Sequence, residues 1–263
     1  MRKILKKLHL YFALALCLPL VLQGLAGSIL VFRNQISDVI LSYKYDFADG
    51  EIASKEAIIE AAKQSASEGL EALPIKIPAE KKSAVKVRFV KIGEKKPSLE
   101  IVLDPVSLRV LEVNDPAKNF FRLIKKFHAD LFIPWGVGKN LVGIFGIAML
   151  FMCVSGVVIW YPKHGDFKRA LTFKFRSIGK KFLRDLHGAV GFWTMIPLAI
   201  SSVTGIYLIY FRSKESNKIW HALHEGAIGG MAWQLTVFLV GFLPLLFAIT
   251  GILLWLKKGK KGR

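Results

Sequence analysis

Four long apolar stretches dominate the pattern of hydrophobic and polar positions along this chain. Each approaches the ~20 apolar residues that an α-helix needs to cross the hydrocarbon core of a bilayer. The segment between the first two stretches is polar and soluble in composition. The pattern therefore predicts a membrane α-helical bundle of four transmembrane helices in a lipid bilayer, with a soluble domain inserted after the first. The stretches are roughly residues 10–32, 138–161, 187–210 and 232–256.

Within the inserted segment, the apolar positions change from helical spacing to alternation. Ser54 is a good N-cap for a following segment with apolar residues at helical spacing, which predicts one amphipathic helix. Residues 85–90 and 99–104 alternate around a turn-rich stretch, and a third short strand follows at 108–113. An α+β domain is therefore expected, and it has no nucleophile, base and orienting residue typical of a catalytic site.

The net charge of +19 is concentrated in three segments. Residues 1–10, the linker 162–186 and the tail from residue 257 hold +15 of it, whereas the segments between them are nearly neutral. This alternation follows the positive-inside rule, so both termini and the middle linker are expected to be cytoplasmic. The charge indicates membrane topology, and we expect no nucleic acid partner.

This topology divides the chain into five parts. They are a first transmembrane helix (1–36), the extracytoplasmic domain (37–120), a second transmembrane helix with an outer histidine segment (121–162), a basic cytoplasmic linker (163–186), and the third and fourth transmembrane helices with a basic cytoplasmic tail (187–263).

The N-terminal part also has features of a cleaved signal peptide. Its apolar run of about 23 residues exceeds the ~7–15 of a signal core, however, which favours an uncleaved anchor.

The apolar stretches form a twofold internal repeat that is marked by histidines. His9 and His187 are each followed by a proline ten residues later and by a glycine eighteen residues later. His128 and His224 precede equivalent glycines by 28 and 27 residues. Self-similarity of this kind indicates one structural unit used twice, here a pair of apolar helices with a histidine near the start of each.

With the expected topology, the four histidines form two pairs at two depths. His9 and His187 begin outward-running helices, and His128 and His224 begin inward-running ones. A b-type haem in a membrane is held by axial imidazoles from different helices. The repeat predicts two haem b groups whose iron ligands are these four histidines, forming an electron relay across the ~30 Å apolar core.

Several short motifs occur in a fixed order along the chain. An Asp104-Pro105 turn lies between strands of the soluble segment, and the membrane segments contain Leu8-His9, Phe127-His128-Ala129 and Leu186-His187. In this order they resemble a PepSY domain and the PepSY-associated transmembrane proteins, over nearly the whole chain. One departure is Ser107-Leu108, where related domains commonly have Thr-Gly.

The resemblance implies a bacterial inner-membrane protein with a periplasmic or extracellular PepSY-like domain. Some members of that family are ferric-siderophore reductases that hold b-type haem, and others have no assigned activity. By resemblance, this chain is a haem-dependent oxidoreductase that transfers electrons to a ferric siderophore or similar ferric chelate. Because no Gly-x-Gly-x-x-Gly fingerprint follows a strand, the electron donor is expected to be external, a quinol or a cytoplasmic reductase.

Two other functions fit the same features. A membrane-anchored PepSY protein could bind or regulate an extracytoplasmic partner without enzymatic activity, and its helices would serve only as anchors. A transporter subunit would also use duplicated helix pairs, but the apolar stretches contain no acidic residue to couple an ion.

Several single residues leave alternatives open. His221 lies three residues before His224 on the same predicted helix face and could replace it as a ligand. Arg33 and Arg212 could meet haem propionates or simply snorkel to the interface. His164 is expected to be solvated. Trp160 and Trp255 fit an interfacial aromatic belt equally well, and no function is assigned to the thiols of Cys17 and Cys153.

Overall fold

The computed structural model describes residues 1–77, 83–94, 96–162, 165, 167–174, 178–211 and 217–259. The chain divides into two compact units. One consists of Met1–Val31 and Lys125–Arg263, and the other of Phe32–Ile124. These divisions lie a few residues outside the predicted bounds of 37 and 120.

The helices and strands are numbered in chain order. The helices are α1 (Arg2–Val31), α2 (Arg33–Lys44), α3 (Lys55–Gln64), α4 (Phe120–Asp130), α5 (Val137–Trp160), α6 (Phe167–Ala170), α7 (Gly179–Tyr210), α8 (Asn217–His224), α9 (Gly230–Val240) and α10 (Leu243–Gly259). The strands are β1 (Leu70–Ala72), β2 (Val85–Lys91), β3 (Pro97–Leu103) and β4 (Val110–Asn114).

Within the described ranges, four helical segments are long and apolar enough to cross a membrane: α1, α5, α7 and α9 with α10. A helix suits a bilayer because it satisfies its backbone N–H and C=O groups internally. α1 packs against α5 and α10, and α7 packs against the same two helices. The spans therefore form a ring in the order α1, α5, α7 and α10. In this ring, the first helix of one repeat, α1, lies opposite the first helix of the other, α7. The predicted membrane α-helical fold with an inserted α+β domain is confirmed.

The fourth predicted span, 232–256, differs from a single helix. α9 ends at Val240 and α10 begins at Leu243, directly before Pro244. Proline has no backbone N–H and its ring crowds the preceding turn, so the helix breaks at this point. Ser28 of α1 donates a hydrogen bond of 2.7 Å to the carbonyl of Phe238 beside the break. A methyl group added to Gly241 would overlap Ser28 Oγ, so small residues allow this close approach.

The second unit contains a four-stranded antiparallel sheet with strand order β1-β2-β3-β4. Side chains alternate between the two faces of a sheet. Leu41 of α2 packs with Ala84 and Val102, whereas α3 covers a larger core. Ser54 caps α3 by accepting a hydrogen bond from the Ala57 N–H, as predicted from the sequence. The core of this unit consists of Ile58, Ala62, Val85, Val87, Phe89, Ile101 and Leu103.

The turn between β3 and β4 is organised by one buried carboxylate. Asp104 accepts hydrogen bonds from the Ala48 and Val106 N–H groups and from the Ser107 hydroxyl. Burial opposes ionisation of Asp104, but these hydrogen bonds outweigh it and hold its pKa below the usual range. Leu108 has φ 60°, the left-handed region, so β4 begins at Val110 and not at the predicted residue 108. A glycine at this position would avoid this strain.

We expect Asp104→Ala to destabilise the second unit by about 3 kcal/mol, because it leaves three donors without their charged acceptor. The wild-type contribution is present above the unfolded Asp pKa of ~3.9 and is lost as the pH falls through the lower folded value. Hydrogen exchange of residues 85–113 in the full-length protein measures both effects. Ser107→Ala removes a single donor and serves as the control. Equal protection in Asp104→Ala and wild type would contradict this role.

Candidate functional site

The four histidines of the repeat lie on four helices of the first unit: His9 on α1, His128 on α4, His187 on α7 and His224 on α8. The ring centroids of His128 and His224 are 6.2 Å apart, with an interplanar angle of 42°. His9 and His187 line one cavity. The structure thus brings together the same two pairs that the topology predicted, one ring from each repeat in each pair.

Each of these rings has a hydrogen-bond partner for Nδ1 on another helix. Three partners are hydroxyl groups, and the fourth is a backbone carbonyl. The Nδ1 contacts are His9 to Ser155 Oγ (2.7 Å), His187 to Thr250 Oγ1 (2.7 Å), His224 to Thr204 Oγ1 (2.8 Å) and His128 to the Gln23 carbonyl oxygen (3.1 Å).

These partners define which ring nitrogen carries the proton. The Thr204, Thr250 and Ser155 hydroxyls donate to carbonyls of their own helices. A hydroxyl has one proton to donate, so its oxygen accepts from the imidazole, and a carbonyl can only accept. The Gln23 carbonyl therefore makes Nδ1 the donor in His128, and the hydroxyl contacts favour the same tautomer, with the lone pair on Nε2, in His9, His187 and His224. This tautomer is the one that a metal-ligating histidine adopts when its other nitrogen is held by an oxygen.

Glycines allow the rings to pack closely against the neighbouring helices. A methyl group added to Gly27 would lie 3.1 Å from His128 Cε1, and one added to Gly205 would lie 3.3 Å from His224 Cε1. The corresponding distances are 3.6 Å from Gly156 to His9 and 3.8 Å from Gly251 to His187. Within each repeat, the histidine that precedes one membrane span therefore packs on a glycine of the other membrane span.

Sequence reasoning noted these glycines but missed the function of the residues before them. Ser155, Thr204 and Thr250 each directly precede the glycine on which a histidine packs, whereas Ala26 takes that position in the first helix. A hydroxyl residue recurring beside three of four repeated glycines was the available signal. It stayed unassigned because Ser and Thr in membrane helices commonly bond only to their own helix.

The cavity between His9 and His187 has a volume of about 710 Å³. This volume lies within the ~300–1,000 Å³ of typical cofactor and ligand sites. Its walls change in character from one end to the other, from Lys6 and Arg184 near the helix starts to Leu20 and Met149 deeper in the spans. It can therefore accept a large amphiphilic molecule. The cavity wall also contains two thiols and two indole rings, those of Cys17, Cys153, Trp160 and Trp255.

His128 and His224 are both neutral at pH 7. Burial lowers the pKa of His128, and burial together with the neighbouring His128 lowers that of His224 to about 4. A neutral imidazole is the form that binds metal. Within the described residues, no group of three or more His, Cys, Asp or Glu side chains is placed to hold a metal ion. The protein therefore offers two histidines at each pair. Two ligands suit a metal ion whose other ligands belong to a bound cofactor.

The other residues that the sequence singled out as possible ligands or haem contacts do not belong to these histidine pairs. His221 faces Glu225, with His221 Nδ1 3.8 Å from its carboxylate, and it is His224 that lies against His128. Trp160 stacks on Phe192 and donates to the Ala170 carbonyl. Arg33 belongs to the second compact unit. His164 and Arg212 lie outside the described residues.

Comparison with known proteins supports the resemblance seen in the motifs. A family model described as the PepSY-associated TM region matches residues 6–222. The chain belongs to this PepSY-associated transmembrane family. The match contains His9, His128 and His187 and ends two residues before His224.

One curated relative of the PepSY-associated chain is an uncharacterized protein of Pseudomonas aeruginosa. The two are 32% identical over 83 residues, which make up 32% of this chain and 20% of that protein. The chain therefore matches about a fifth of that relative's length, and the relative's name assigns it no activity.

Proposed function

We propose that this PepSY-associated membrane protein binds two b-type haems and transfers electrons across the bilayer to an extracytoplasmic ferric chelate. The observation that carries the proposal is the arrangement of His9, His187, His128 and His224. They form two pairs, each with one ring from either repeat, and every Nδ1 is held by an oxygen. A histidine that served only packing would need neither this tautomer nor a second histidine opposite it.

The residues fit the cofactor on two further grounds. His128 and His224 would hold the iron of one haem, because their ring centroids lie 6.2 Å apart, close enough for both imidazoles to reach one metal ion through bonds of ~2.0 Å. At the other end, the 710 Å³ cavity beside His9 and His187 provides space for a macrocycle. His9, His187, His128 and His224 would be the axial ligands.

The chain's own groups hold and insulate the cofactors. When bound, a b-type haem supplies one-electron redox chemistry, which the protein tunes through ligand basicity and burial. The hydroxyls and the Gln23 carbonyl orient the imidazoles, and the apolar helices exclude water from both pairs. The ferric chelate as acceptor follows from the family resemblance, and the donor is an external quinol or cytoplasmic reductase.

We further propose that the protein is oriented in the bacterial inner membrane by its charges. The basic segments 1–10 and 163–186 and the tail from residue 257 stay on the cytoplasmic side. The PepSY-like domain is then extracytoplasmic, and His128 and His224 form the outer pair. This orientation supports electron transfer from the cytoplasmic side outwards.

An optical spectrum of the purified protein tests the function. In protein expressed with ample haem, we expect about two haems per chain and sharp α and Soret bands of low-spin haem b on reduction with dithionite. In inside-out vesicles supplied with a quinol, a ferric chelate on the lumenal side should be reduced. A protein that folds with haem available but lacks these bands would refute the haem function and favour the alternative, an anchored PepSY protein that binds an extracytoplasmic partner.

A further inference from the structure

A cation lies three residues before the histidine of the cavity in each repeat. Lys6 precedes His9 on α1, and Arg184 precedes His187 on α7. Residues three apart lie on the same face of a helix. All four residues line the same cavity, so the repeat places one histidine and one cation from each half around it.

General membrane topology does not account for this selection. The positive-inside rule favours many cations at these helix starts, and Lys3, Lys7, Lys180 and Lys181 satisfy it. None of those four belongs to the cavity wall, whereas Lys6 and Arg184 do. Arg184 also contacts the adjacent Asp185, which lines the same cavity, at 3.3 Å; because the Arg184 side chain is 68% exposed, this ion pair is weak and leaves guanidinium N–H groups for a second carboxylate.

The cavity is correspondingly polar at one end and apolar at the other. Beyond the histidines, its wall is formed by apolar and thiol side chains from four spans. A flat ligand with carboxylates on one edge and hydrocarbon on the other matches this gradient. The apolar and thiol lining there consists of Cys17, Leu20, Met149, Cys153, Leu198 and Pro244.

We propose that Lys6 and Arg184 form a carboxylate-binding pair that holds the two propionate groups of the cofactor between His9 and His187. This inference rests on the proposed function and deepens it, since it assigns the orientation of that cofactor. A guanidinium or ammonium group binds a carboxylate through charge-assisted hydrogen bonds. The carboxylate edge then faces the cavity mouth, and the hydrocarbon edge faces the membrane interior.

The other histidine pair differs at the equivalent positions. Lys125 lies three residues before His128, but the residue three before His224 is His221, which faces Glu225. Among the described residues, a permanent cation stands three positions before the histidine in both repeats at the His9–His187 cavity, and in one repeat at the other pair. The inference accordingly predicts that the two sites differ in their dependence on cofactor carboxylates.

The test compares haem b with its dimethyl ester, in which both propionates are neutral. The full chain carries His128→Ala and His224→Ala, so that binding reports the His9–His187 site alone. In this background, we expect Lys6→Gln and Arg184→Gln each to weaken haem binding about 5-fold and the double variant about 25-fold, as for partly exposed ion pairs. The ester should bind more weakly than haem and should be insensitive to both substitutions. Lys7→Gln and Lys181→Gln are the matched controls.

Each outcome decides between distinct explanations. Equal losses for haem and the ester would assign Lys6 and Arg184 a structural role and overturn the inference. Equal losses in Lys7→Gln would attribute the effect to overall charge and overturn it as well. Unchanged affinity in the double variant overturns the inference while leaving the proposed function intact. If the protein without any of these substitutions binds no haem, the proposed function fails with it.

Discussion

Replacing His128 or His224 with alanine is expected to remove the same haem, so haem content should fall from about two per chain to about one in either variant. The two rings face each other at 6.2 Å, and one axial ligand cannot hold the cofactor in the six-coordinate low-spin state. The double variant should lose little more than each single variant, because residues that serve one site are non-additive. Combining His128→Ala with His9→Ala should instead abolish both haems.

Haem per protein, measured with the optical and electron paramagnetic resonance spectra, distinguishes the two cofactors. His221→Ala is the matched control, since His221 is one helical turn from His224 and faces Glu225. It should retain both haems. Retention of different haems by His128→Ala and His224→Ala would refute the pairing, even in a protein that binds haem. Chelate reduction in vesicles should fail in every variant that lacks one haem.

The membrane fold and the pairing of histidines were predicted from two signals in the sequence, the length of the apolar runs and the position of the basic segments. Apolar runs of bilayer length indicate helices, and basic segments indicate which ends share a side. These signals extend over many residues and are insensitive to side-chain detail. They placed His9 with His187 and His128 with His224 without any knowledge of the contacts between helices.

The parts that sequence reasoning missed depend on short elements or on distant contacts. β1 has three residues, too few for alternation to be seen, and α2 has a single buried residue, Leu41. The start of β4 depends on Leu108, a bulky residue in a left-handed conformation that propensity disfavours. The break before Pro244 follows from proline chemistry, but a proline in a membrane helix also occurs without a break in α1 and α7.

The hydroxyl partners of the histidines illustrate why site detail needs the structure. Ser155 is 146 residues from His9, and Thr250 is 63 residues from His187. Nothing local in the sequence links the members of each pair. Thr204 and Thr194 both lie on α7 and both donate to a carbonyl of that helix, yet of the two, within the part of the chain that the structure describes, Thr204 alone contacts a histidine nitrogen. Helix packing makes the difference between them.

Removing the Thr204 hydroxyl is expected to weaken haem binding at the His128–His224 site about 10- to 100-fold, the usual cost of losing a group that orients a metal-ligating histidine. Thr204→Val keeps the side-chain shape but removes the hydroxyl acceptor of His224 Nδ1, so that the Ser201 backbone is the hydrogen-bond partner that is left to the ring. The proton is then held less firmly on Nδ1, and the lone pair on Nε2 is less fixed. Thr204→Ser retains the hydroxyl and should restore binding.

Two measurements separate this positioning role from a general effect on stability. The nitrogen chemical shifts of His224 in the haem-free protein report its tautomer, which Thr204→Val should change and Thr204→Ser should preserve. In Thr204→Val, the haem that still binds at the His128–His224 site should have a higher reduction potential. A histidine whose Nδ1–H has lost its hydroxyl acceptor is a less basic ligand and stabilises the ferric state less. Thr194→Val, on the same helix, should behave as wild type in both measurements. If Thr204→Ser binds haem as weakly as Thr204→Val, or if Thr194→Val matches either, the hydroxyl does not position the ring, and the hydrogen bond of 2.8 Å to His224 contributes only to helix packing.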